Sequence, residues 1–162
     1  VSVTLRRSPE WDTWRDAQNW RGARKFAEFL EDNRNGLITR VEKGWPAWTK
    51  LVELVRLFKA ERSITFKDEH TASNGDRSLE FTQKTTGTSV IEIPDFIGVR
   101  LPLFEGEALS EVEFRLHYDL TPEGVKFALR PVSEQAMERE AFKDVELRVG
   151  EATGFPGPLR VT

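Results

Sequence analysis

Nine residues near the start of the chain combine the two side-chain types that bind polyanions and protein surfaces. Arg6, Arg7, Trp11, Trp14, Arg15, Trp20, Arg21, Arg24 and Lys25 fall within twenty positions. Indole rings stack on bases while cations track phosphates, so the segment could hold single-stranded nucleic acid. Trp and Arg are also enriched at interaction hot spots, which makes a protein partner or self-association an alternative. The commonest use of such rings is packing, as a lid over neighbouring helices. Burial of Trp11, Trp14 and Trp20 would make the segment structural; exposure would leave both binding readings open.

A second group could do metal-dependent hydrolysis. Asp68, Glu69 and His70 lie together, with Asp76, Glu80 and Lys84 on the same expected hairpin. Two-metal chemistry needs carboxylates that converge on ions about 4 Å apart. The acidic–(Asp/Glu)-x-Lys layout of one nuclease class is not found after Pro94-Asp95, and hairpin tips are often charged for solubility alone. The chain has only His70 and His117 and no cysteine, so zinc would have to lean on carboxylates. The sequence has no G-x-S-x-G elbow and no G-x-x-x-x-G-K-[ST] or G-x-G-x-x-G phosphate cradle. The residues therefore assign no catalytic side chain, no metal and no cofactor, and they favour binding over catalysis.

The elements that must position these groups follow from composition and period. The chain has 162 residues, 38% hydrophobic and 31% charged, with five Trp and eleven Phe. That is enough apolar volume for one domain with a core of its own. Without cysteine there is no disulfide, thiol nucleophile or iron–sulfur cluster. No apolar run reaches the eighteen residues of a membrane span. The opening VSVTLRR lacks a Met and an apolar signal core, so a longer native protein is expected. Net charge is −3, unevenly spread: residues 1–62 carry 13 Lys and Arg against 9 Asp and Glu, and residues 63–162 carry 11 against 18. This leaves room for a local basic face but argues against a generic polyanion binder.

Residues 1–20 read as a short strand ended by Pro9, then the Trp/Arg segment, where Trp11 and Trp14 are spaced for one weak helical turn. Residues 21–62 read as a helical pair. Ala23, Phe26, Ala27 and Leu30 recur at helical spacing to about Asn33, and Trp48, Leu51, Val52, Val55 and Phe58 form a second stripe that Leu54 and Leu57 widen. From 63 to 131 the period becomes two, with turns at 73–76, 86–88 and 121–124. Val112, Phe114, Leu116 and Tyr118 alternate with Glu113, Arg115 and His117, and Val125, Phe127 and Leu129 alternate with Lys126 and Arg130. One face is apolar and the other polar and solvated. Pro102 marks an edge or bulge. Ser133 is expected to cap a helix over 132–150, although Val145, Leu147 and Val149 also fit a strand. Residues 151–162 read as an irregular tail. Helices grouped apart from strands indicate an α+β domain: an antiparallel sheet of about five to six strands with helices packed on one face.

Blocks of the chain carry a family resemblance. They are Phe26-Ala27-Glu28-Phe29-Leu30-Glu31-Asp32-Asn33, Phe58-Lys59-Ala60-Glu61 leading into Ser63-Ile64-Thr65-Phe66, Glu92-Ile93-Pro94-Asp95-Phe96, and Leu101-Pro102-Leu103-Phe104-Glu105-Gly106. With these the chain resembles the uncharacterised phage and prophage proteins grouped as DUF2303 or YfdQ-like. The resemblance spans most of residues 20–150. It implies a bacteriophage origin, an intracellular setting in the host cytoplasm and a non-virion or early-region accessory role, and it carries over no catalytic residue. The leading expectation is a binding protein for a host or phage protein or for itself, with a single-stranded nucleic-acid binder and a metal-dependent hydrolase as alternatives.

Overall fold

A computed structural model describes residues 4–59, 64–70, 77–83, 87–154 and 160–161, with side chains over 5–57 and 93–154. In chain order the elements are β1 (Thr4–Leu5), α1 (Pro9–Asp16), β2 (Arg21–Gly22), α2 (Ala23–Asp32), β3 (Leu37–Ile38), α3 (Trp48–Lys59), β4 (Ile64–His70), β5 (Arg77–Gln83), β6 (Gly87–Glu92), β7 (Phe96–Pro102), β8 (Leu109–Thr121), β9 (Gly124–Pro131), α4 (Glu134–Thr153) and β10 (Arg160–Val161). The class is α+β, as the pattern of elements predicts.

The main sheet has five antiparallel strands in the order β2-β9-β8-β7-β3. Alternation in its three long strands sends Ile97, Val99, Leu101, Val112, Phe114, Leu116, Val125, Phe127 and Leu129 to one face, where each is at most 3% exposed. The helices close over that face. Ala23, Phe26, Ala27 and Leu30 form the buried side of α2, and Phe26 stacks on Phe127 with centroids 5.0 Å apart. Leu51, Leu54 and Val55 of α3 and Val145 of α4 join the same core.

Three departures from the sequence reading have local causes. Residues 64–92 do not extend the main sheet. β4, β5 and β6 form an antiparallel sheet of their own, because β7 already has β8 on one side and β3 against Gly98 and Val99 on the other. Gly87 and Thr88, expected in a turn, open β6; the turn expected over 73–76 lies outside the described residues. Pro9 does not merely stop a strand but starts α1. Ser8 is the N-cap, its hydroxyl accepting from the Trp11 backbone N–H at 2.9 Å and donating to the Pro102 carbonyl. Proline suits the first helical position because that N–H lacks a partner anyway.

The third departure is at the C-terminal end. Ser133 occupies the cap position of α4 but makes no side-chain cap bond, since its φ of 60° turns it away from capping geometry. The helix runs to Thr153, so Val145 and Val149 fall on its inner side while Leu147 is 65% exposed, the pattern of a helix and not a strand. Gly154 closes it in the left-handed region at φ 66°, where an L side chain is strained. The expected irregular tail contains β10, which pairs in parallel with β1. Pro102 does sit at an edge: β3 covers β7 only at Gly98 and Val99.

Candidate functional site

The nine N-terminal residues do not form one surface. The rings of Trp11 and Trp14 are 0% and 3% exposed. Trp11 meets Phe114 edge-on at 6.1 Å, and Trp14 lies 5.1 Å from Phe29 and 5.4 Å from Phe114. A base cannot stack on either ring without opening the core, so these two serve as the packing lid. The cations beside them are committed to acids. Arg7 binds Glu138 through two bonds of 2.8 and 3.2 Å, and Arg15 pairs with Glu134. Arg21 pairs with Asp16 at 2.6 Å and lies over the Phe29 ring, and Arg24 pairs with Glu28 at 3.2 Å. Trp20, 45% exposed, remains at the surface with Arg6 and Lys25.

Glu138 ties α1 to α4. It accepts from Arg7 and, at 3.0 Å, from the Trp11 indole N–H. Its carboxyl is held below the usual range, first by the Arg7 hydrogen bond and also by Trp11, against the opposing effect of burial.

The sheet face turned away from these helices carries a feature that the sequence reading missed. Trp45 is 2% exposed. A 3₁₀ turn at Val41–Lys43 and a left-handed Gly44 (φ 71°) fold the chain back so that Arg40 and Trp45 exchange backbone hydrogen bonds of 2.9 and 3.3 Å. The ring then lies flat over Gly98, where a β-carbon would stand 1.9 Å from its Cε3 atom. Its indole N–H donates to Glu113 at 2.8 Å, and Lys43 sits 4.6 Å from the ring centroid. Glu113 was expected on a wholly wet face, and Ala128, opposite His117, is also fully buried. The available signal was a glycine at an outward position of a strand, which often marks close approach by another group.

Beside Trp45 the cations gather. Glu111 accepts from Arg40 at 2.6 Å and Arg100 at 2.8 Å, with Lys43 at 3.9 Å. The Arg40 hydrogen bond, then that of Arg100, lowers its carboxyl to about 2. The folded value lies below the unfolded one, so this stabilisation is present above the ordinary carboxylate range and is lost as pH falls toward the folded value. The Glu111 carboxyl carbon is expected to titrate near pH 2 by NMR, and Glu111→Gln is expected to flatten the acid limb of stability between about pH 4.5 and 2. A Glu111 signal that titrates with the exposed glutamates would refute the cluster.

Next to this cluster opens a cleft of about 610 Å³. Pro46, Leu51, Leu54, Ile93 and Phe96 form its apolar walls, Lys43 and Lys50 its rim, and Val41, 85% exposed, its lip. Arg115 lies over the outer side of Phe96, 5.5 Å from the centroid.

The side chains of Asp68, Glu69 and His70 lie outside the described residues. Among the described residues, no three His, Asp or Glu side chains are placed to hold a metal ion, and no helix is long and apolar enough to cross a membrane.

Residues 1–157 match the model of one protein family, described as "Uncharacterized conserved protein (DUF2303)". No curated protein and no solved structure matches the chain. With nearly its whole length covered by that match, the chain belongs to the DUF2303 family.

Proposed function

We propose that this chain is a phage-derived, YfdQ-like accessory protein that works in the host cytoplasm by binding a protein partner, not by catalysis. The observation that carries the reading is the cleft beside Trp45, with Val41 left 85% exposed at its lip. A large apolar side chain held in water beside an open apolar cleft is surface that a partner would cover. Lys43 and Lys50 at the rim favour a segment that places an apolar anchor next to acidic residues. Trp20 and Lys25 keep a second reading in play, a single-stranded nucleic acid held by stacking and charge.

The test compares partners that co-purify with the native chain, with Val41→Asp/Lys50→Glu, with Trp20→Ala, and with Leu147→Asp as a surface control on α4. A protein bound by the native chain is expected to bind the Val41/Lys50 variant at least tenfold more weakly and the control normally. Equal retention by the Val41/Lys50 variant defeats the cleft. Nucleic acid lost only with Trp20→Ala supports the second reading, and a concentration-dependent change in mass lost with Val41/Lys50 identifies a second copy as the partner.

A further inference from the structure

On the same outer sheet face, β8 and β9 place two arginines directly opposite each other, Arg115 against Arg130. Both are exposed. Directly opposed side chains on antiparallel strands have β-carbons about 4.5–5.5 Å apart, and like charges there are destabilising. The pair has no acid of its own among the described residues. Glu113, the nearest carboxylate along β8 on that face, is engaged by the Trp45 indole, and Asp119 stands opposite Lys126. One guanidinium is steadied against the Phe96 ring, which leaves its edge free to donate.

We propose that Arg115 and Arg130 form a clamp for one phosphate monoester group. Two guanidiniums present a double positive charge and many N–H donors in fixed planes, the geometry that suits oxyanions. A carboxylate would neutralise only half of that charge. A phosphate monoester carries about −1.5 to −2 at neutral pH and three acceptor oxygens, so it matches both charge and donors. The repulsion between the two side chains in the empty pair becomes attraction to the shared anion. The clamp adjoins the cleft through Phe96 but does not depend on what the cleft binds.

The test uses the full chain at pH 7.5 and constant ionic strength, following the Nε–Hε resonances of both arginines by NMR. Inorganic phosphate and phenyl phosphate are expected to move the two resonances together and to saturate, with midpoints on the order of millimolar. Acetate is expected to bind at least tenfold more weakly. Arg115→Gln and Arg130→Gln should each abolish saturation at the remaining arginine. At low salt and without phosphate, Arg130→Gln, which gives up no ring contact, should also raise the melting temperature because the repulsion is gone; a single cooperative melt in each variant confirms that it folds. Linear, unsaturated shifts, equal responses to acetate and phosphate, or variants that bind like the native chain would each overturn the clamp.

Discussion

Trp11→Ala is expected to destabilise the protein by about 4 kcal/mol, near the middle of the range for removing a large buried aromatic side chain. The ring is fully buried against Phe114, so its loss leaves a cavity that α1 cannot fill without leaving β7. The substitution also removes one hydrogen bond from Glu138 and loosens the link to α4. At roughly 2–4 °C per kcal/mol for a chain of this size, the melting temperature should fall by about 8–16 °C. Trp11→Phe separates the two contributions. It keeps much of the apolar contact but loses the N–H donor and the volume of one fused ring, so a smaller loss is expected, on the order of 1–2 kcal/mol. If Trp11→Ala melts within a few degrees of the native chain, the ring is not part of the core.

Gly98→Ala is expected to cost about 3 kcal/mol although it adds one methyl group. The new β-carbon would stand 1.9 Å from Trp45 Cε3 and 2.3 Å from Cδ2, so the ring must leave. Overpacking of a tight site costs about 1–3 kcal/mol, and expelling an otherwise buried indole adds lost burial and a lost hydrogen bond to Glu113. Urea unfolding should show the loss, and tryptophan emission should shift to the red as Trp45 enters water. Trp45→Ala combined with Gly98→Ala should cost little more than Trp45→Ala alone, since the methyl then meets no ring. Additive losses would show that Gly98 matters for some other reason.

How much of this was legible in the sequence depends on which physical rule each element obeys. Within β7, β8 and β9 the large apolar side chains recur at every second position, so these strands and the face that meets the helices follow from period two, while the cover over Gly98 and Ala128 on the other face does not. α2 shows an equally clear helical stripe. α1 was faint because Asp12, Thr13 and Asp16 are poor helix formers; the signal was the Ser8-Pro9 start, a cap followed by proline at the first helical position. The division of the strands into separate sheets was not legible, because period two says which face is buried but not which strand is the neighbour. The N-terminal Trp/Arg segment misled for a related reason: an indole with an N–H serves equally well in a core beside Glu138 and on a surface beside a base. Composition cannot separate the two, and only the partners of the ring do. Val41 and the Arg115–Arg130 pair were visible as letters, but their exposure and opposition follow from a left-handed glycine and from strand register.

The short strands β2 and β3 have one more consequence. They cap the two sides of the main sheet with two residues each, while Arg6 and Ser8 bond the backbone near Leu103 and Glu105, and Ala17 accepts from Leu129. Among the described residues, little continuous ladder is left along either rim for a foreign strand to copy, which is one way native sheets avoid templating aggregates. This sheet is therefore a poor acceptor for strand addition, and recognition at its outer face must work through side chains.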